Sequence, residues 1–477
     1  MSELPASKEN EAFEVAFLRY SDRIATVTPD GQVLTFGVLH GTVKAFAAKL
    51  RACGIGPGAV VAPVTENPAV FHALVLALLR VGATVASVSN PDIAVGRGLC
   101  IDFGITLPDL PALTVFNIHF GQSWFGFSGD DSIGPDGQLL LPSSGTTGEP
   151  KYYRAAQSII RAWAEARCAG YDVRDADMLM TIPAHSTYGL SLMLQTTLFG
   201  GAVFWPRASA DETLRTLRPQ QPLDLVTTPA FLADFLKAAE KGASPPAKLR
   251  AVMLGGSPVS RQFAERAEAV LGLPVYNSYG STETGGNAYC RPTRSIIGTG
   301  LVGKPVPPSE FRIEDESGEA LPPGMDGIFA VRVPQAARVS EAMTGSFPYD
   351  GDGWFRSGDL GYTDVATGDF VLTSRVSDLI NSSGSKAAPG KYEKMALTMT
   401  PADMAVAFGI PNALGTEDVG LAVVAPEAID TVALERGLKD RVGDYLDFHV
   451  RQLDAIPLGA TGKPDRAALR RMFAETA

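Results

Sequence analysis

The sequence predicts an α/β protein: a large N-terminal portion of parallel-type α/β sheets plus a β-rich subdomain, followed by a small α/β C-terminal domain. Three observations predict it. Strand-length apolar runs alternate with helix-length amphipathic runs at 59–88 and again from 225 onward, the order that places crossover helices between parallel strands. Short strands with Gly-containing turns fill 311–333, and residues 404–450 read strand, strand, helix. The 477 residues exceed one ordinary core, so two or three domains are expected.

In chain order, residues 12–50 read as a helix, a short hairpin around Pro29-Asp30-Gly31 and a second helix. Thr35 precedes the apolar-periodic run from Phe36 to Leu50 and is its expected cap. After the turn Gly54–Gly58 come a buried strand at 59–64, a helix at 68–80 and a strand at 84–88. Residues 90–138 are rich in Gly and Pro, weakly patterned, and yield no element. Leu139–Leu141 reads as a buried strand, Ala155–Cys168 as a helix and Met178–Ile182 as a strand. A strand at 225–228 leads into a helix from Pro229, and the strand 249–254 ends in Gly255-Gly256-Ser257-Pro258. A glycine pair there lets a flat ring approach the backbone at the edge of an open sheet. Gly298 to Gly303 forms a formal Gly-x-Gly-x-x-Gly, but Lys304-Pro305-Val306-Pro307-Pro308 cannot open the required helix, so dinucleotide binding is rejected. Strands at 404–409 and 419–424 and a helix at 431–450 complete the chain.

Composition narrows the function. A net charge of -11 argues against nucleic acid as main partner, while a local Lys/Arg cluster can still hold a small anion. Cys53, Cys100, Cys168 and Cys290 are scattered without a Cys-x-x-Cys pair, which argues against zinc, iron–sulfur and disulfide frameworks. The N-terminus lacks an apolar signal core, and the apolar segment 70–88 is interrupted by His72, Arg80 and Gly82, so no membrane span is expected. A reduced, soluble, cytoplasmic protein is the expectation.

Chemistry concentrates at 142–151, Pro-Ser-Ser-Gly-Thr-Thr-Gly-Glu-Pro-Lys. Ser143, Ser144, Thr146 and Thr147 surround Gly145, and Gly148 and Lys151 close the segment. Glycines let the backbone turn N–H groups toward a phosphate chain, and the hydroxyls and the cation add to that cradle. The spacing does not fit Gly-x-x-x-x-Gly-Lys-Ser/Thr.

This segment resembles the phosphate loop of the adenylate-forming (ANL) superfamily, which comprises acyl- and aryl-CoA ligases, peptide-synthetase adenylation domains and luciferases. Later motifs agree in kind and order. Asn277-Ser278-Tyr279-Gly280-Ser281-Thr282-Glu283 matches the family's Tyr-Gly-x-Thr-Glu segment. Trp354 to Gly361 matches its aromatic-x-(Thr/Ser)-Gly-Asp-Leu-Gly segment, Arg375 to Lys386 resembles its hinge, and Pro457 to Arg466 its Pro-x-x-x-x-Gly-Lys-x-x-Arg loop. The resemblance implies that Tyr279 stacks on adenine, with Asn277, Ser278, Gly255, Gly256 and Ser257 bordering it. It further implies that Glu283 holds Mg²⁺, Asp359 accepts from the ribose hydroxyls, and Arg375 reaches ribose and phosphate. Thr146, Glu283 and Lys463 are then the catalytic set. The bare residues also permit Glu283 as a helix-start carboxylate, Asp359 as a turn aspartate and Lys463 as a solvated loop lysine.

The family's acid pocket maps onto His185, Ser186, Tyr188, Gly189 and Gly285. His185 sits one place before the commonest family spacing and Ser186 takes the usual His position, so His185 reads equally as pocket lining or as a core or helix-start histidine. No Asp lies between Met178 and Gly200 to pair with a substrate ammonium, so an α-amino acid is not the expected substrate. The small residues at 285–288 suggest room for an aryl or medium-chain acid. By resemblance, 1–376 form the ATP- and acid-binding adenylation domain and 377–477 a mobile C-terminal domain that turns about Ser377 and brings Gly384 to a thiol tunnel. The implied activity is an ATP-dependent carboxylic acid ligase that forms an acyl-adenylate and pyrophosphate, then transfers the acyl group to a thiol, CoA first. One alternative acceptor is a separate acyl-carrier protein or another nucleophile. A non-catalytic adenylate-binding relative is the second alternative.

Overall fold

Several helices of the N-terminal portion open on a hydroxyl or amide side chain that caps the first turn. Thr35 accepts from the Val38 N–H at 3.3 Å, as expected, and Asn67 from the Ala69 and Val70 N–H groups at 3.0 and 3.1 Å. Thr228 and Ser260 do the same for Pro229–Glu240 and Arg261–Leu271. Each such cap contributes about 1 kcal/mol and fixes where a strand hands over to a helix. The computed structural model describes residues 9–88, 103–106, 116–119, 121–143, 151–171, 173–174, 176–256, 259–294, 300–340, 347–382, 385–412, 416–443, 446–459 and 464–474.

The elements form the α/β architecture that the alternation predicts. One sheet runs, in spatial order, Gly285–Cys290, Val275–Ser281, Leu249–Gly255, Leu223–Thr227, Asp177–Met180, Val203–Phe204, Ile24–Val27 and Val33–Thr35. Its interior pairs are parallel and its two edge pairs antiparallel. A second sheet runs Phe116–His119, Phe103–Thr106, Val60–Val64, Thr84–Ala86, Gln138–Ser143 and Lys151–Ala156, antiparallel only at its last pair. Both faces of the first sheet are covered, and the period of two shows it. Met178, Met180, Val226 and Met253 enter the core shared with the second sheet. Leu179, Leu225, Val252 and Leu254 pack under Pro229–Glu240 and Arg261–Leu271 on the other face. Each fully buried side chain of this kind contributes about 1.5–3 kcal/mol.

An antiparallel sheet of Leu301–Gly303, Phe370–Arg375, Trp354–Thr363, Gly327–Arg332 and Glu310–Glu314 forms the β-rich part. Leu301–Gly303 is thus an edge strand, and no helix follows it to hold a dinucleotide. Residues 380–473 carry their own apolar clusters, around Tyr392, Leu421 and Leu438 and around Phe408 and Phe473. They touch the remainder where Arg266 pairs with Asp403 and with Glu240 at 2.8 Å. Gly390 also lies so close to the Thr373 carbonyl that a Cβ would stand 2.3 Å from it.

Three local expectations are corrected. Weakly patterned residues 90–138 include two strands, Phe103–Thr106 and Phe116–His119, which extend the second sheet. The helix expected from Ala155 begins at Ile159, because Lys151–Ala156 pairs antiparallel with Gln138–Ser143, with Tyr153 and Ala155 turned inward. The helix expected through 450 stops at Gly443, whose φ of 111° leaves the helical region, and Phe448–Gln452 is a strand. Among the described residues no helix is long and apolar enough to cross a membrane. His72, read as an interruption of the apolar run, is fully buried in Pro68–Arg80, with its Nε2 2.8 Å from the Thr197 hydroxyl.

Candidate active site

The Pro142 carbonyl joins three segments that lie far apart in sequence. It accepts from the Thr187 hydroxyl at 2.8 Å and from the Thr282 hydroxyl at 2.9 Å, using both lone pairs. The end of strand Gln138–Ser143, the start of helix Thr187–Leu198 and the turn after Val275–Ser281 therefore meet at one atom. Ser144, Gly145, Thr146, Thr147 and Gly148 lie outside the described residues. Their flanks are Ser143 and Lys151, register partners across the hairpin, with Lys151 exposed.

Glu283 sits at this junction, in the turn between Val275–Ser281 and Gly285–Cys290, so it does not start a helix. It is 7 % exposed, and among the described residues no Lys or Arg pairs with it. Tyr153 lies beside its carboxylate: burial and then Glu283 push that phenol up to about 12. The Tyr349 hydroxyl donates to the Glu283 carbonyl and accepts from the Val339 N–H at 3.0 Å, so the backbone that carries this carboxylate is fixed. No cluster of three or more metal-ligating side chains occurs among the described residues. A buried carboxylate lacking a cation fits Mg²⁺, which keeps water and phosphate oxygens and needs only one or two protein carboxylates.

On the far side of Val275–Ser281, Tyr279 donates to Asp359 at 2.9 Å, and Arg375 pairs with the other carboxylate oxygen at 2.8 Å. Asp359 and Arg375 are register partners on adjacent antiparallel strands, which explains why these two motifs meet. Ser357 donates to the Phe329 carbonyl at 2.8 Å and accepts from the Asp359 N–H at 3.2 Å. The Tyr279 ring packs on Phe329 and Phe311 at 5.1 and 5.9 Å between centroids. Burial, then Asp359, drives the Tyr279 hydroxyl far above its ordinary range, so it stays a donor. Burial would lower Arg375, but Asp359 and Asp378 outweigh it and hold the guanidinium charged. Each Asp359 oxygen retains a lone pair for a ligand hydroxyl.

The remaining expected residues divide by what occupies them. Asn277 donates to the Leu301 carbonyl at 3.1 Å, while its buried Oδ1 has no partner, an acceptor that matches an exocyclic amino donor. The Tyr188 hydroxyl is 3.2 Å from Ser278 Oγ, and a Cβ on Gly255 would lie 3.0 Å from the Tyr188 ring. Gly256 has φ 85°, which favours glycine. Ser281 Oγ is 3.0 Å from the Thr284 hydroxyl. At Gly280 a Cβ would collide with the Gly285 carbonyl at 2.1 Å. Ser186 is occupied structurally: its hydroxyl caps Thr187–Leu198 by accepting from the Gly189 N–H at 3.0 Å and donates to the Pro183 carbonyl at 2.7 Å. Gly189 is buried against Pro183, and the His185 carbonyl accepts from Ser87 at 2.7 Å. The room expected at Gly285 is filled by Trp163, whose indole would lie 2.5 Å from a Cβ there. Ser257, Gly384 and Lys463 lie outside the described residues, and of Ser377 only the backbone is described, in the short helix Val376–Asp378.

Sequence reasoning missed Tyr153, Tyr349 and Arg167. Tyr153 was hidden by the misplaced helix start, although inward alternation in Lys151–Ala156 could have shown it. Arg167 lies in the last turn of Ile159–Gly170 and reads as a surface cation, yet it is 3 % exposed.

A family model described as "AMP-binding enzyme" matches residues 13–93 and 135–339. The 2-succinylbenzoate–CoA ligase of Bacillus licheniformis is 31 % identical over 69 % of this chain and 68 % of its own. The fatty acid–[acyl-carrier-protein] ligase ScoC of Streptomyces coeruleorubidus is 26 % identical over 93 % of this chain and 92 % of its own. Among solved structures, the o-succinylbenzoate CoA synthetase of Bacillus subtilis in complex with its acyl-adenylate intermediate superposes with a TM-score of 0.79 at 23 % identity, over 96 % of this chain and 97 % of that one.

Proposed function

Because the chain belongs to the AMP-binding enzyme family, we propose that it is an ATP-dependent acid–thiol ligase working through an acyl-adenylate. The observation that carries this reading is Glu283, a buried carboxylate with which no Lys or Arg pairs among the described residues, held where three motif segments meet. In the first half-reaction a substrate carboxylate oxygen bonds to the α-phosphorus of ATP, the bond from that phosphorus to the bridging oxygen breaks, and pyrophosphate leaves with the electron pair. Bound Mg²⁺ supplies charge neutralisation for the phosphate oxygens. Tyr349 holds the Glu283 backbone, with Tyr153 beside the carboxylate, so that Glu283 can receive it. Asn277 and Tyr279 take the base, and Asp359 and Arg375 the ribose. We assign Thr146 to the triphosphate and Lys463 to the charge that develops between carboxylate and α-phosphate.

In the second half-reaction a thiolate attacks the mixed anhydride, the carbon–sulfur bond forms, the acyl carbon–oxygen bond breaks and AMP leaves. We take CoA as the thiol, in line with the 31 % identical CoA ligase. A separate acyl-carrier protein is the second reading, favoured by the near full-length likeness to an acyl-carrier-protein ligase. We divide the chain at 376/377, with the C-terminal part turning about Ser377 to exchange Lys463 for Gly384, and we place the reaction in the cytoplasm, where ATP is supplied. The test is mass spectrometry of products from aryl and medium-chain acids with MgATP, with and without CoA. Acyl-CoA from one class is expected. An adenylate that accumulates and ignores CoA moves the acceptor to a carrier protein or another nucleophile, and no adenylate from any acid sinks the ligase reading.

A further inference from the structure

Arg167 is a buried cation to which the described residues bring no counter-charge. Its side chain is 3 % exposed, and its Nε and Nη2 are buried without a hydrogen-bond partner. Among the described residues no carboxylate pairs with it. Arginine cannot escape such a position by losing its proton, and an uncompensated buried charge is strongly destabilising. A site that keeps one is incomplete until an anion arrives.

Its surroundings place it at the acid side of the site. On its helix Arg167 stands between Trp163, which packs on Gly285, and Gly170, which lies so close to Tyr289 that a Cβ would stand 2.6 Å from the ring, and Arg167, Tyr188 and Cys168 all act electrostatically on Tyr289. Tyr289 is the register partner of Ser278, whose hydroxyl meets that of Tyr188 at 3.2 Å, so the three stand on the same face of the sheet. Gly286 lets the Tyr289 hydroxyl pack directly against the strand, since a Cβ there would lie 2.5 Å from it. Tyr279, one residue on from Ser278, turns to the other face of the strand, where it meets Asp359 on the nucleotide side.

We propose that Arg167 receives a second carboxylate on the acid substrate, remote from the one that is adenylated, so that the preferred acids are dicarboxylic. This rests on the ligase reading above and adds a substrate class to it. The planar guanidinium fits a carboxylate through two parallel N–H donors. A monocarboxylic acid of the same length leaves both donors empty. Discrimination of this kind is strong, because the wrong substrate strands a buried charged donor.

The experiment compares succinic, glutaric, adipic and phthalic acids and their benzylic homologues, each beside its monomethyl ester, in the full chain and in Arg167→Met and Arg167→Lys. Pyrophosphate release with MgATP gives kcat/KM, and calorimetry without ATP gives binding. The wild type is expected to prefer one diacid over its monoester by about 100-fold, from the strength of hydrogen bonds to charged groups. Arg167→Met loses most of that preference through KM for the diacid while monoester turnover stays within about threefold. Without ligand its Tm rises by a few degrees, a change that a merely structural arginine would reverse. Arg167→Lys keeps charge without the fork, gives an intermediate preference, and carries the test should Arg167→Met fail to fold. Equal use of diacid and monoester by the wild type, an equal loss of both in the variants, or no diacid binding to the wild type overturns the proposal. Diacid binding that Arg167→Met abolishes, with no pyrophosphate from any acid, upholds Arg167 and overturns the ligase reading instead.

Discussion

Arg375 and Arg167 are two arginines in one site with opposite bookkeeping. Arg375 lies 2.8 Å from Asp359, which Tyr279 also holds at 2.9 Å, and each side chain of that triad has its partner in the unliganded fold. Arg167 is more deeply buried and its Nε and Nη2 have none. The triad is a scaffold: it is pre-organised, its groups are held charged or protonated by one another, and a ligand adds to it without rearranging it. Arg167 is a vacancy for charge. His72 gives the control. It is equally inaccessible, with Nδ1 unpartnered, and it responds by staying neutral, its pKa lowered to about 3 by burial. A histidine can give up its proton and an arginine cannot, so only the arginine needs an anion.

Removing the centre of the scaffold has the largest expected effect. Asp359→Ala strands Arg375 and leaves the Tyr279 hydroxyl without its acceptor. Arg375 is 40 % exposed, so solvent screens part of the loss, and the expected destabilisation is about 2–3 kcal/mol. The kcat/KM for ATP falls by about 100-fold or more. Urea denaturation and steady-state kinetics read the two numbers. Full stability in Asp359→Ala would mean that the triad is not a scaffold.

The same substitution at the two arginines then gives opposite signs. Arg375→Met removes a paired charge from Asp359 and is expected to lower stability by about 1 kcal/mol. Arg167→Met replaces an unpaired buried charge with a side chain of similar length and is expected to raise it by about 1–2 kcal/mol. Denaturation midpoints of both variants, measured without ligand, check this, and a loss at both positions would erase the distinction between scaffold and vacancy.

How much of this was legible in the sequence follows the same division. The triad was readable because each member sits in a motif with fixed neighbours, and strand register then brings Asp359 opposite Arg375. The alternation of apolar runs gave the parallel sheets, since strands covered on both faces must be apolar almost throughout, as Val60–Val64 is. Arg167 was not readable. A helix surface and a helix face buried against Tyr289 carry the same Arg in the same last turn, and only tertiary packing tells them apart. The Lys151–Ala156 strand was lost for a related reason: Tyr-Tyr-Arg-Ala-Ala is compatible with either period until its partner strand is known.

His72 sharpens the comparison through pH. The unfolded chain takes up a proton near pH 6.5, whereas the native imidazole refuses it down to about 3. Between those values the unfolded state binds more protons, so stability falls as pH falls. By pH 5.5 the loss relative to pH 7 is about 1.2 kcal/mol from this group. His72→Met removes that component, so urea midpoints of wild type and variant should converge in the variant's favour as pH drops from 7 to 5.5. Parallel midpoint curves would mean that His72 is protonated in the fold, and that burial alone does not decide which cations need a partner.

The smallest expected effect separates scaffold from pocket at Ser186. Family spacing assigns this residue to the acid pocket, but its hydroxyl accepts from the Gly189 N–H and donates to the Pro183 carbonyl. With both roles filled locally, little remains for a substrate. Ser186→Ala is expected to cost about 1 kcal/mol of stability as a lost cap, and Ser186→Gly a few tenths. KM for the acid should stay within about twofold in both, because a capping defect at the first turn of Thr187–Leu198 acts on folding more than on binding. The neighbouring Thr187 hydroxyl, which holds Pro142, remains in place in either variant. A KM that rises tenfold in Ser186→Ala while stability is unchanged would return Ser186 to the pocket and extend the acid side of the site from Tyr188 back to the helix start.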